Sequence, residues 1–213
     1  MTATHSTTTR STALITGASR GLGAALARAL AQQGWDLILD ARGGAALERT
    51  AAELASWTHV TAIAGDVTDS THRQQLVRAA SNRRLDLVVN NASILGPRPQ
   101  PALLDYPIET LEQVLRVNTL APLALLQDLR PVLAKDARIL NVTSDAAVEA
   151  YEGWGGYGAS KAALEQLTRV LAVEQPGWKV YHVDPGDMRT QMHQEAFPGE
   201  DISDRPLPEE SVP

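Results

Sequence analysis

The stretch Ala13-Leu14-Ile15-Thr16-Gly17-Ala18-Ser19-Arg20-Gly21-Leu22-Gly23, which runs on into the Ala/Leu-rich segment Leu22 to Gln33, decides how the chain reads. A short apolar run breaks into glycines and then takes up a helical period, as a buried strand does on entering a helix. Glycines at such a junction permit positive φ and let the main chain approach a phosphate. The helix start adds unpaired N–H groups and the positive end of its dipole. Gly17, Gly21 and Gly23 differ in spacing from G-x-G-x-x-G, and a glycine-rich turn taken alone can simply connect strand to helix. The remainder of the chain has to decide between the two.

Moving outward, apolar runs at Asp36–Asp40, Val60–Ala64, Leu85–Asn90, Arg138–Thr143 and Lys179–Val183 alternate with helical stretches. These stretches cover residues 45–56, 70–80, 109–134 and 157–174, with Gly34 a stop for the first helix and Pro122 a bend or boundary in the long one. Continuous apolar strands between helices predict an α/β fold of Rossmann type. This is a doubly wound parallel sheet of about six strands with helices on both faces. The expected organisation is a disordered leader over residues 1–10, a single domain over 11–193 and an acidic, Pro-rich tail over 194–213.

Composition narrows the function classes. The chain of 213 residues is 44% apolar and 21% charged, with a formal charge of -6. It carries no basic stripe, which argues against nucleic acid as a partner. It has no cysteine, which excludes disulfides, thiolate metal sites and cysteine nucleophiles, and nothing points to a metal. No run approaches the ~18 apolar residues of a membrane span, and the Thr-rich start lacks the apolar segment of a signal peptide. A cytoplasmic protein is the expectation.

Tyr157-Gly158-Ala159-Ser160-Lys161 places a phenol and an ammonium four residues apart, on one face of a helix. A nearby cation favours phenolate and lowers the phenol pKa, which suits a general acid/base. With the glycine turn written Thr16-Gly17-Ala18-Ser19-Arg20-Gly21-Leu22-Gly23, the chain resembles the short-chain dehydrogenase/reductase family. The branch is the single-domain one, with T-G-x-x-x-G-x-G and Y-x-x-x-K. Further matches are Asn90-Asn91-Ala92 (with Ser93 where Gly is more usual), Asn118 on the long helix, Ser144 after the fifth strand, and Asp184-Pro185-Gly186-Asp187-Met188-Arg189-Thr190.

The resemblance implies a catalytic set of Asn118, Ser144, Tyr157 and Lys161. Ser144 would hold the substrate oxygen, and Asn118 would shape a water-linked proton path beside Lys161. It implies a dinucleotide held by Gly17, Ser19, Arg20, Gly21, Leu22 and Gly23 around the phosphates, and by Asp66 and Val67 at the adenine. Asn90, Ala92, Tyr157, Lys161, Pro185, Gly186, Met188 and Thr190 would line the rest of the site. Arg20 and Arg42 favour NADP, because a basic group there accepts a 2′-phosphate. The acidic selector of NAD enzymes falls on Ala41 here. Asp40, one residue early, should point to the opposite side of the strand, although a shift of one residue would put it on the ribose and make NAD possible.

The expected substrate is a small carbonyl or alcohol, with Ser93, Ile94, Leu95, Asp145, Ala146, Trp154, Met188 and Met192 as pocket candidates. The alternative function is a non-catalytic NADP-binding regulator or sensor. Relatives in this branch usually continue with another helix and strand after the P-G loop, and this pattern lacks both. A cut chain, a naturally short member and an end supplied by a partner all stay open. A homodimer through the helices at 109–134 and 157–174 is expected, as in many relatives.

Overall fold

The computed structural model describes Arg10–Val212, so the expected leader lies outside the described residues except for Arg10. Six parallel strands form one sheet: β1 Thr12–Ile15, β2 Asp36–Ala41, β3 Val60–Ala64, β4 Leu85–Asn90, β5 Leu133–Val142 and β6 Lys179–Val183. Their order is β3-β2-β1-β4-β5-β6. It reverses between β1 and β4, and a crevice opens there at the carboxyl ends of the strands.

Side-chain alternation explains why the strands read as unbroken apolar runs. Leu14, Ile38, Val88 and Ile139 point to one face, against Leu76 of α3 (Ser70–Ala80) and Leu125 and Leu129 of α5 (Ala121–Leu129). Ala13, Ile15, Leu37, Leu39 and Val89 point to the other. There they meet Ala27 and Ala31 of α1 (Gly21–Gln32) and Leu47 and Leu54 of α2 (Gly44–Leu54). Both faces are covered over β1, β2 and β4, where no position is exposed, whereas the edge strands β3 and β6 keep exposed positions.

The helix expected over 109–134 is divided. Helix α4 (Ile108–Leu115) passes into a π-helical turn at Arg116–Leu120 and then into α5. Pro122 stands in the first turn of α5; it has no N–H to donate to the Asn118 carbonyl four residues back, and the wider turn absorbs this defect. A 3-10 turn at Arg130–Val132 ends the helix, and β5 already begins at Leu133. The apolar Val132-Leu133-Ala134 stretch reads equally well as the end of a helix. What settles it as strand is pairing, Leu133 lying opposite Leu85. A bulge follows before Arg138 pairs with Leu87.

Helix α6 (Gly155–Glu174) starts two residues before the expected 157, and α7 (Gln191–Ala196) straddles the expected boundary at 193. The stretch beyond it lies against the domain. Pro208 is buried in a 3-10 turn over Pro208–Ser211. Glu209 pairs with Arg28 of α1 at 2.9 Å, and Ser211 Oγ donates to the Pro185 carbonyl at 3.1 Å. A counter-charge on α1 thus holds an acidic segment whose composition suggested loop or disorder. On β6, Tyr181 and Val183 are exposed.

Candidate active site

The glycine turn follows β1 and is shaped by three neighbours. Gly17 and Gly21 have φ of 67° and 56°, where only glycine sits without strain. A Cβ on Gly23 would run into the Gly17 carbonyl. Thr16 Oγ1 accepts from the N–H groups of Asn91 and Ala92, each at 3.0 Å. Asn91 Nδ2 donates to the Thr16 carbonyl at 2.8 Å and to that of Gly17 at 3.2 Å. From β2, the Asp40 carbonyl accepts from Ala18 N–H at 2.9 Å. The result is a fixed concave backbone at the start of α1, with N–H groups left to meet an anion.

Some of the expected ligands sit differently. Asn90 donates from Nδ2 to Asn141 Oδ1 at 2.7 Å inside the sheet, so its side chain faces away from the crevice, and Asn91 is the residue that shapes the turn. The doublet alone did not reveal which asparagine faces the turn; strand parity would have. Val67 is a core residue packed with Leu14 and Leu76, whereas Asp66 Oδ1 accepts from the N–H and the hydroxyl of Thr68. Arg20 reaches across to Gln191 Oε1 at 2.6 Å. Thr190 lies beside Gly21 and caps α7 by accepting from His193 N–H at 3.1 Å. Thr190 thus stands against the glycine turn, at the end of the segment that carries Pro185, Gly186 and Met188.

Tyr157 and Lys161 share the inner face of α6 and are both buried. Lys161 Nζ donates to the Val142 carbonyl at 2.8 Å and lies 5.5 Å from the centre of the Tyr157 ring. Burial lowers its pKa to about 8. The Ser93 and Ser144 hydroxyls both face the Tyr157 phenol. Ser93 Oγ is buried without a hydrogen-bond partner.

Sequence reasoning expected the phenol pKa to be lowered; in this site it is pushed up to about 12. Burial of the phenolate is the main cause. The charges of Asp184 and Asp145 add to it and outweigh the two hydroxyls. Ser144 Oγ donates to Asp145 Oδ1 at 2.8 Å, and Tyr151 donates to the other oxygen at 3.0 Å. Burial works against the Asp145 charge, but these bonds and the Ala146 N–H prevail and hold its carboxyl below the usual range.

Asn118 is fully buried. Its Oδ1 accepts from Ile94 N–H, and its Nδ2 donates to the Ile94 carbonyl and to Ser160 Oγ, at 2.9, 2.9 and 3.0 Å. The side chain thus ties the segment after β4 to α6. An apolar wall rises above Tyr157 from Leu95, Ala146, Trp154, Met192 and Ala196. Trp154 stands edge-on to Tyr157 with ring centres 5.7 Å apart, and Phe197 is 5.8 Å from Trp154. Phe197 was hidden in a stretch that reads as tail. Among the described residues no group of three or more His, Cys, Asp or Glu side chains is placed to hold a metal ion. Among the described residues, likewise, no helix is long and apolar enough to cross a membrane.

Comparison with known proteins agrees with this geometry. The family model for short chain dehydrogenase matches residues 11–201, and the chain belongs to that family. It is 36% identical over 174 residues to the rhamnolipids biosynthesis 3-oxoacyl-[acyl-carrier-protein] reductase of Pseudomonas aeruginosa, covering 78% of this chain and 67% of that protein. It is 36% identical over 171 residues to the 1-deoxy-11-beta-hydroxypentalenate dehydrogenase of Streptomyces arenae, covering 78% of this chain and 60% of that protein. The chain therefore spans about two thirds of the length of these curated relatives or less. Among solved structures it is similar to an alcohol dehydrogenase from the archaeon Thermococcus sibiricus complexed with 5-hydroxy-NADP. The TM-score is 0.85 at 30% identity, over 95% of this chain and 87% of that one.

If the turn is the anion site, Gly23→Ala should weaken dinucleotide binding by at least about tenfold, because the added Cβ must displace the backbone that makes the site. Fluorescence titration with NADPH checks this; an unchanged Kd would remove the turn from the binding site.

Proposed function

We propose that the chain is an NADP(H)-dependent oxidoreductase that interconverts a small carbonyl and its alcohol, with Tyr157 as the general acid/base. The observation that carries this reading is the buried phenol of Tyr157, faced by the Ser93 and Ser144 hydroxyls, with the Lys161 ammonium one helical turn away. That cluster lies beside a glycine turn whose Gly23 has no room for a Cβ, which fits a dinucleotide. The main chain of residues 17–23 would hold the phosphates, with Asp66 and Val67 at the adenine. Asn90, through its main chain alone, and Ala92 would line the middle of the site, and Lys161 and Tyr157 the nicotinamide ribose. Pro185, Gly186, Met188 and Thr190 would flank the ring. Bound there, the nicotinamide supplies or takes up the hydride.

The protein's own part is to hold and move a proton. Burial keeps Tyr157 protonated through neutral pH, the state required of a donor to a carbonyl oxygen during reduction. Ser144, on turning its hydroxyl from Asp145, would donate to the same oxygen as charge develops on it. Lys161 supplies a positive charge beneath the phenol while it is protonated, that is, below about pH 8. The walls made by Leu95, Trp154, Met192 and Phe197 suit an apolar body on the substrate.

Two features favour NADP over NAD. Asp40 is 1% exposed and engaged with His72 of α3, on the side of β2 away from a ribose. Arg20 and Arg42 are the cations that would meet a 2′-phosphate. The neighbour complexed with 5-hydroxy-NADP supports the same choice.

Tyr157→Phe is expected to reduce carbonyl-dependent NADPH oxidation by about a hundredfold or more, the weight of a positioned proton donor, while leaving NADPH affinity nearly unchanged. Absorbance assays on a panel of ketones and aldehydes, run with NADPH and NADH, check both reaction and cofactor. An unchanged rate would take Tyr157 out of the mechanism.

We also propose a homodimer through α4, the π-helical turn, α5 and α6, whose surfaces leave Ile108, Leu120, Val170 and Val173 exposed. Light scattering should give twice the monomer mass; a monomer at high micromolar concentration would contradict it.

A further inference from the structure

Asp40 is the penultimate residue of β2, its side chain turned, by the two-residue period of a strand, toward α3. It is 1% exposed, and His72 on α3 is 4% exposed. Their closest atoms, Asp40 Oδ1 and His72 Nε2, are 2.5 Å apart. The Asp40 carboxylate also faces the Gly17 N–H, and its main-chain carbonyl holds Ala18 N–H. One residue thus grips the phosphate-binding turn through both its side chain and its backbone. The imidazole fits because residue 65 is glycine, since a Cβ there would overlap the ring.

A buried carboxylate directly under a turn built to receive phosphates presents an electrostatic problem. Its charge opposes that of the ligand, and low-dielectric surroundings strengthen the repulsion. We propose that the Asp40–His72 pair is a charge-neutralising support for the dinucleotide turn. Asp40 fixes the turn's geometry, and His72, as imidazolium, cancels the negative charge that this entails, so that phosphate affinity depends on His72 holding its proton. Both are positioning residues, acting through Gly17 and Ala18. The inference rests on the dinucleotide reading of the preceding subsection and goes beyond it.

The groups facing the pair are few. They are Asp66 after β3, Asp69 at the start of α3, Gln75 one turn further on, and Arg42 after β2, which acts on Asp66. The hydrogen bond to Asp40 raises the His72 pKa above the ordinary imidazole value, prevailing over burial. Burial raises Asp40 as well, so the two hold one proton between them. The sign follows from the raised imidazole. The neutral pair is complete below the ordinary value of 6.5, and its stabilisation is lost as pH rises through the folded-state pKa of His72.

The test is the affinity of the wild-type protein and of Asp40→Asn for NADPH, by fluorescence titration from about pH 7 to about pH 9.5. Across that range a phosphate monoester, with its second pKa near 6, is about nine-tenths ionised or more, and its remaining titration would raise affinity rather than lower it. Wild-type affinity should fall by about tenfold as His72 deprotonates, the scale of one partly screened charge. Asp40→Asn, which keeps an oxygen for Gly17 and removes the charge, should lose much less. Lys161 titrates in both proteins, so its contribution cancels in the comparison.

Linkage supplies a second readout that needs no variant. Saturating NADPH should raise the His72 pKa, followed by imidazole NMR in the wild type, by about one unit, the reciprocal of a tenfold change in affinity. An equal fall in Asp40→Asn, or a His72 pKa unmoved by NADPH, overturns the proposal. Failure of the wild type to bind NADPH or NADH at any pH overturns the dinucleotide reading beneath it, an outcome distinct from binding with a flat pH profile.

Discussion

A buried ammonium must find an acceptor, and in this chain the acceptor is the last carbonyl of β5. The bond from Lys161 Nζ to Val142 pins the first half of α6 against the tip of the sheet. Leaving that charge unpaired in the interior would cost several kcal/mol, so the helix has little freedom to slide. Tyr157 lies one turn before Lys161 and is carried to the same tip. Ser144 lies two residues beyond Val142 and meets it there. The grouping of Ser144, Tyr157 and Lys161 is therefore a consequence of where one lysine can be satisfied.

A second set of restraints fixes the other half of the crevice. Thr16 and Asn91 bind β1 to the segment after β4, and Asp40 binds the glycine turn to β2. The Thr16 and Asn91 bonds join neighbours across the point where strand order reverses, and the Asp40 bond ties the turn to the strand on its other side. Asn118 does similar work from the π-turn, holding Ile94 to α6. The two halves are thus positioned by polar side chains buried at the carboxyl ends of β1, β4 and β5, while the apolar faces below them provide stability without regard to chemistry.

Much of this was legible in the chain. The six strands, their parallel arrangement and the pairing of Tyr157 with Lys161 follow from periodicity, because strands covered on both faces and helices of period 3.6 leave different traces. The glycine turn was legible for the same local reason. Properties set by neighbours distant in sequence were not. The start of β5 at Leu133 depends on pairing with Leu85. The raised phenol pKa depends on burial and on Asp184 and Asp145. Phe197 reached the site only because the stretch after α7 folds back, which its acidic, Pro-rich composition does not announce. Asn90 and Asn91 are adjacent and identical, and only the direction of each side chain separates a sheet residue from a turn residue.

The central claim is that the glycine turn and the Tyr157–Lys161 face of α6 form two ends of one dinucleotide site. A crystal structure of the protein grown with NADPH tests it most directly. The expected result is density for the pyrophosphate on the backbone of residues 17–23, for the 2′-phosphate between Arg20 and Arg42, and for the nicotinamide beside Tyr157. A dinucleotide bound elsewhere, or one with its nicotinamide turned away from Tyr157, would contradict the claim.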